Sequence, residues 1–189
     1  MMRATAILAA DSLLVLAFDV LATRCPADAR PEVSLRLVSD AARTVGQGGM
    51  IGGQHADLHL LRPGADRSVV EFVDRQKTGK LFELAASGAA RLCDASEPEI
   101  TALARYGSHL GIAYQVADDI LDATQTSEAT GKDAGKDVGK TTFVQLCGVE
   151  GARAALDGLA REAERALSGF GPRADVLRQI AASVRERAR

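Results

Sequence analysis

Apolar residues recur along the chain at the three- and four-residue spacing of helices, and no stretch alternates as a strand would. Pro26 and Pro31 separate the first two helical patterns, and the glycines at 46–49 give a flexible point of close backbone approach. Ser68, with Glu71 three residues later, has the pattern of a capping box. The sequence therefore predicts one all-α domain over residues 1–189, with helices at 3–23, 32–44, 50–61, 68–92, 96–122, 150–167 and 174–187.

Composition supports helices and narrows the classes of function. Hydrophobic residues make up 47% of the chain, aromatic residues only 4%, and Trp is absent. The 23 basic and 25 acidic residues nearly cancel, so no nucleic-acid-binding surface is expected. Cys25, Cys93 and Cys147 are widely spaced and predict neither a zinc site nor a disulfide framework. We expect them to be small core residues of a cytoplasmic protein.

Both ends of the chain could be mistaken for targeting or binding segments. Residues 4–22 are mostly apolar, but Asp11 and Asp19 interrupt them. A buried or amphipathic helix is therefore expected there, rather than a signal peptide or a membrane span. The arginines at 185–189 are expected to form a solvated helix end, where the helix dipole favours them.

An acidic group closes the most apolar helix pattern. Residues 110–117 are apolar almost all round, apart from Gln115, and Asp118, Asp119 and Asp122 follow directly. Asp118 and Asp122 share one helix face, with Cβ atoms about 5–6 Å apart. Crowded carboxylates repel one another, and Mg²⁺ removes that conflict. On spacing alone, a magnesium site and a solvated helix end are equally supported.

Three further polar groups could bind a phosphate. Lys77 and Thr78 offer a charge and a hydroxyl within an apolar helix pattern, although a solvated face is the commoner meaning of such a pair. Gln54 and Asp57 share a helix face. The glycines and lysines at 131–140, including Lys132 and Lys140, fit either a phosphate-covering loop or a plain surface loop.

Taken together, these segments resemble the trans-isoprenyl diphosphate synthases, the family of farnesyl and geranylgeranyl diphosphate synthases. The chain carries AILAADSLL at 6–14, where the family has AILAGDALL, and GMIGGQHAD at 49–57, where it has GMxGGQxxD. KTGKLF at 77–82 is similar to KTGxLF, and YQVADDILD at 114–122 resembles the second aspartate-rich motif, FQxxDDxLD. The motifs follow one another at compatible spacings over almost the whole chain.

The resemblance implies a helical bundle of the isoprenoid synthase type around an apolar pocket. It implies an Mg²⁺-dependent condensation of isopentenyl diphosphate with an allylic prenyl diphosphate. By position, Asp118, Asp119 and Asp122 are expected to hold Mg²⁺. The substrate-binding residues are expected to be Gln54, Asp57, Lys77, Thr78, Gln115, Lys132 and Lys140, of which Lys77, Thr78 and Gln115 are also expected to act in catalysis.

Two departures from the family pattern qualify that expectation. No DDxxD or DDxxxxD precedes Asp118, so the family's first aspartate-rich motif is not in this sequence, and the segment from Asp137 to Lys140 is short. We therefore expect an N-terminally truncated form of the fold with doubtful activity by itself. The alternative is a catalytically silent subunit that dimerises, with itself or with a complete synthase, through the helices predicted at 3–23 and 32–44.

Overall fold

The computed structural model describes residues 2–23, 30–124 and 140–188, and every regular element within these ranges is helical. The expected all-α class is confirmed. The α-helices are α1 (Met2–Thr23), α2 (Pro31–Val45), α3 (Met50–His59), α4 (Arg67–Asp74), α5 (Lys80–Leu92), α6 (Glu97–Thr124), α7 (Phe143–Ala166) and α8 (Asp175–Arg187). A π-helical segment, Arg75–Gly79, joins α4 to α5, and a 3-10 turn, Pro172–Ala174, precedes α8.

Helix α6 lies at the centre of the bundle, in contact with α5, α7, α8 and the π segment. Its residues Ala113, Val116 and Ile120 are fully buried, as expected for a helix that is apolar all round. Gly107 brings α5 close, because a Cβ at that position would lie 2.4 Å from the carbonyl oxygen of Phe82. The core thus fixes the direction of α6, and with it the place of the polar residues at its C-terminal end.

The start of α4 differs from the prediction. The helix begins at Arg67 with Asp66 as the N-cap residue, so the capping box expected at Ser68 is wrong. Glu71 instead accepts a hydrogen bond of 2.7 Å from Arg67 Nε, one helical turn earlier. A glutamate does reach back to the residue before the helix at the start of α6. There Glu99 accepts hydrogen bonds from the backbone N–H and the hydroxyl of Ser96 at 2.8 and 2.7 Å.

Helix α7 begins earlier than predicted and contains a kink. It starts at Phe143 rather than near residue 150, and the backbone N–H of Thr142 donates to Gln145 Oε1 at 3.0 Å. Gly148 then takes a φ of 73°, a left-handed conformation that favours glycine. The sequence pattern predicted only the part of the helix that follows this kink.

Helix α1 is not buried, contrary to expectation. It packs chiefly on α2, and Ile7, Leu13 and Val15 leave 63, 66 and 68% of their surface exposed. Its stretch Ala4–Thr23 is long and apolar enough to cross a membrane by length and composition, although a soluble core helix or a signal sequence passes the same test. Asp11 and Asp19 lie within this stretch, which meets that test with both of them included.

The cysteines also differ from the prediction. Cys93 and Cys147 are free and exposed, so the expectation that they fill the core is wrong for both. The Cys147 thiol makes a local contact of 3.1 Å with the carbonyl oxygen of Phe143. Cys25 lies outside the described residues.

The close contact at Gly107 predicts opposite effects for two glycine-to-alanine changes. Gly107→Ala pushes a methyl group into the α5 backbone and is expected to lower the free energy of unfolding by roughly 2 kcal/mol. Gly158→Ala, in α7, meets nothing within 4 Å and is expected to raise it by about 0.5–1 kcal/mol, because alanine is the better helix former. Urea denaturation of the two variants checks the pair, and equal effects would contradict the packing described.

Candidate functional site

Five of the predicted site residues line one cavity of about 70 Å³ between α3, the π segment, α6 and the chain that enters α7. They are joined there by Asp74, which the sequence analysis did not single out. The polar groups come from distant parts of the sequence, and the central helix α6 brings them together. The charged and amide side chains that line the cavity are Asp57, Asp74, Lys77, Gln115, Asp119 and Lys140.

Lys77 and Thr78 lie within the π-helical segment, a type of distortion that is frequent at functional sites. The Thr78 hydroxyl donates to Gln115 Oε1 at 3.1 Å. The Gln115 amide in turn donates to Asp119 Oδ1 at 3.2 Å. This chain of hydrogen bonds connects the lysine segment to the acidic end of α6 and fixes the orientation of the Gln115 amide.

Gly53 allows α3 to lie directly on the π segment. A Cβ at this position would be 2.5 Å from the backbone nitrogen of Lys77 and 2.8 Å from the Cβ of Gln76. Any larger residue would therefore force the two elements apart. Because Asp57 follows one helical turn after Gly53, the close approach places its carboxylate beside the Lys77 side chain.

Asp57 binds two lysines at once. Its Oδ2 lies 2.8 Å from Lys77 Nζ, and its Oδ1 lies 3.2 Å from Lys140 Nζ. The Gln54 amide adds a hydrogen bond of 3.3 Å to Oδ2. Burial raises the pKa of Asp57, but the hydrogen bonds and charges of Lys77 and Lys140 outweigh it and leave the pKa below its usual value. Asp57 is therefore a buried anion.

The three predicted metal ligands do not share one environment. Asp119 faces the cavity, whereas Asp118 lies 3.9 Å from the Arg187 guanidinium and Asp122 is exposed. Within the described ranges, no three His, Cys, Asp or Glu side chains are placed to hold a metal ion together. Mg²⁺ commonly takes one or two carboxylates and completes its shell with water and phosphate. The oxygen donors at the end of α6 fit that partial role.

Arg187 occupies a position that its sequence context did not indicate. Its guanidinium stacks 4.6 Å above the ring of Tyr114, and a hydrogen bond to Tyr114 raises its pKa further. The expectation of a merely solvated helix end is therefore incomplete. Lys80, in the segment KTGKLF at 77–82, pairs with Glu83 at 3.0 Å. Lys132, a predicted substrate-binding residue, lies outside the described residues.

Asp74 is the carboxylate that sequence reasoning missed. It is 6% exposed, and its Oδ2 has no hydrogen-bond partner among the described residues. Burial, followed by the nearby charge of Asp119, raises its pKa to about 8. The available signal was its position one residue after Val73 in the apolar stripe of α4, where a charged residue is unexpected.

The sequence matches the model of the polyprenyl synthetase family over residues 2–166. It is 34% identical over 180 residues to the farnesyl diphosphate synthase of Bacillus subtilis (strain 168), covering 94% of this chain and 61% of that protein. It is 41% identical over 172 residues to geranylgeranyl pyrophosphate synthase 9, chloroplastic, of Arabidopsis thaliana, covering 88% and 48%. The chain thus spans about half to three fifths of the length of these relatives.

Solved structures of similar proteins have the same fold. An FPP/GFPP synthase from Zymomonas mobilis superposes with a TM-score of 0.83 at 33% identity, covering 96% of this chain and 61% of that one. A geranyltransferase from Helicobacter pylori, solved in complex with magnesium and isoprenyl diphosphate, superposes with a TM-score of 0.79 at 27% identity, covering 96% and 59%. The expected resemblance in fold and family is confirmed.

The raised pKa of Asp74 predicts a specific dependence of stability on pH. The folded chain keeps this proton up to about pH 8, whereas the unfolded chain releases it near pH 3.8, so stability falls as pH rises through that window. Asp74→Asn removes the titrating group and with it this loss of stability. The variant is expected to be more stable at pH 7 by about 4 kcal/mol, with little difference at pH 3.5. Chemical denaturation at both pH values measures this, and a difference independent of pH would contradict it.

Proposed function

The chain belongs to the polyprenyl synthetase family, and from this we propose that it takes part in Mg²⁺-dependent prenyl transfer. The proposed reaction joins isopentenyl diphosphate to an allylic prenyl diphosphate. The observation that carries the proposal is the convergence of Lys77, Gln115 and Asp119 on one cavity at the end of the buried helix α6. The similarity to farnesyl and geranylgeranyl diphosphate synthases supports the reaction class, although this chain spans only part of their length.

The cavity residues have complementary tasks in this proposal. Lys77 and Lys140 supply positive charge for the diphosphate of the allylic substrate, with Lys132 as a further cation. The Thr78 hydroxyl donates to Gln115 Oε1, so the Gln115 amide, and the N–H that it does not give to Asp119, are held in a fixed direction. Gln54 supports the site through its hydrogen bond to Asp57. Ionisation of the substrate moves negative charge onto the diphosphate, and fixed donors and ammonium groups stabilise that charge.

Asp118, Asp119 and Asp122 are the proposed Mg²⁺ ligands. Bound Mg²⁺ would neutralise the negative charge of the diphosphate as it leaves. Gln115 orients Asp119 through the hydrogen bond of 3.2 Å, and Arg187 lies beside Asp118, so two of the three carboxylates have defined neighbours. Val116 and Ile120 on the same helix are fully buried, so water has no access to the site through the opposite face of α6.

A second candidate function is that of a catalytically silent subunit. It is favoured by α1, whose exposed leucine, isoleucine and valine side chains offer an apolar surface suited to pairing with a second copy or with a complete synthase. The sequence also has no DDxxD before Asp118. Slow turnover by this chain alone is therefore expected under both functions. A cytoplasmic location is a further proposal, which rests on the free cysteines Cys93 and Cys147.

Metal-linked binding of an allylic diphosphate tests the proposed function. Calorimetry with geranyl S-thiolodiphosphate, an unreactive analogue, is expected to show binding that requires Mg²⁺. Asp118→Ala and Lys77→Met are each expected to weaken it by about tenfold or more, since each removes a charged contact. Glu71→Gln, which breaks a surface ion pair, is the control. Binding that is absent, or indifferent to Mg²⁺ and to both substitutions, would refute the proposal.

The two candidate functions differ in the effect that a complete synthase has on turnover. Chain incubated with Mg²⁺, radiolabelled isopentenyl diphosphate and farnesyl diphosphate is expected to give little prenyl product. Rapid product formation would contradict the expected dependence on a first aspartate-rich motif. A large increase on adding a complete synthase, beyond the activity of that synthase itself, would favour the role of a subunit.

The exposed surface of α1 predicts self-association. Sedimentation analysis is expected to give a dimer for the wild-type chain. Leu13→Glu is expected to give a monomer, because a charge then replaces a side chain in the proposed interface. Leu35→Glu, at a 72% exposed position of α2, tests whether the interface extends to that helix. A wild-type monomer would contradict the proposal.

A further inference from the structure

We infer that Asp57 is a positioning residue that holds Lys77 and Lys140 in place for the diphosphate and does not itself bind substrate. The inference rests on the proposed function and refines it. The family resemblance places Asp57 among the substrate-binding residues, but a buried carboxylate is a poor contact for a diphosphate, since like charges repel. Its actual partners are two ammonium groups and an amide.

Three separate elements meet at the Asp57 carboxylate. Asp57 belongs to α3, Lys77 to the π segment and Lys140 to the chain just before α7, and the two lysines follow Asp57 at sequence separations of 20 and 83. Both lysines are about one third exposed, at 34 and 30%, whereas the carboxylate is 5% exposed. The two ammonium groups are therefore accessible to an anion in solution, whereas the Asp57 carboxylate that holds them is buried beneath them.

The backbone around Lys140 is anchored independently of this ion pair. The hydroxyl of Thr141 donates to the carbonyl oxygen of Arg62 at 2.6 Å and accepts from the Ala65 N–H at 3.3 Å. Its own backbone N–H donates to the Leu61 carbonyl at 3.3 Å. These bonds attach residue 141 to the turn that follows α3, so Lys140 is delivered to the same helix that carries Asp57.

The charge balance explains why one carboxylate serves two lysines. Two ammonium groups close together repel each other, and a single buried anion between them offsets that repulsion. Without Asp57, the lysines would turn toward water, and an arriving diphosphate would have to order both side chains at an entropic cost.

Removing the charge of Asp57 should change diphosphate affinity in opposite directions, depending on whether Asp57 positions the lysines or acts only through its electrostatic field. Loss of a negative charge near an anion site should tighten anion binding if the charge acts only through space. We expect Asp57→Asn to weaken binding of inorganic diphosphate with Mg²⁺ by about tenfold, as measured by calorimetry. Asp40→Asn, which removes the carboxylate of an ion pair with Arg36 outside the cavity, is the matched control and should change binding less than about twofold.

A double substitution and a spectroscopic measurement isolate the mechanism. With Lys77→Met already present, adding Asp57→Asn should no longer weaken diphosphate binding to the same extent, because one lysine that it positions is gone. In ¹H–¹⁵N spectra of the lysine ammonium groups, the Lys77 and Lys140 signals should be sharp in the wild type and broadened in Asp57→Asn. Asp57→Glu keeps the negative charge and is expected to retain part of the diphosphate affinity. It serves as the test if Asp57→Asn folds poorly.

The outcomes distinguish the inference from the function on which it rests. A wild-type chain that binds no diphosphate with Mg²⁺ refutes the proposed function, and the ammonium spectra then still decide whether Asp57 orders the lysines. A wild type that binds, together with an Asp57→Asn variant that binds equally or more tightly, overturns the inference and leaves the function standing. Unchanged ammonium signals in the variant would overturn it as well.

Discussion

The close contact between α3 and the π segment is the constraint on which the candidate site depends. Gly53 lets the two backbones touch, and the Asp57–Lys77 ion pair of 2.8 Å forms one helical turn later. The widened π turn places Lys77 toward Asp57 and the neighbouring Thr78 toward Gln115. Helix α6, held by its buried apolar residues, then brings Asp119 to the same cavity. The site is thus a consequence of helix packing, completed by the non-helical chain at 140–142 that brings Lys140 to the cavity.

Much of this architecture could be predicted from the sequence, because its signals are local. The apolar periodicity gave the helices near their observed bounds, and the stretch at 110–117 predicted the buried central helix. The motif glycines indicated close backbone contacts, and Gly53 makes one. Where periodicity is interrupted, prediction failed. The left-handed Gly148 concealed the first part of α7, and the Ser68 capping pattern did not define the start of α4.

The site was predicted as a set of residues but not as an arrangement. Spacing along α6 suggested that three aspartates would act together, whereas Asp119 faces the cavity and Asp118 lies beside Arg187. Asp74 and Arg187 were missed because their partners come from other helices, and no sequence pattern encodes such contacts. Asp57 was assigned to the substrate from a motif, although its partners are lysines separated from it by 20 and 83 residues. Motifs identify participants, and packing determines what each one does.

The most direct test of the central claim is a crystal structure of the chain with Mg²⁺ and geranyl S-thiolodiphosphate. The account predicts that the diphosphate lies against Lys77 and Lys140, that Mg²⁺ bridges it to one or two carboxylates at the end of α6, and that Asp57 keeps both lysine contacts without touching the ligand. A diphosphate bound away from the cavity, or coordinated without any of Asp118, Asp119 and Asp122, would contradict it.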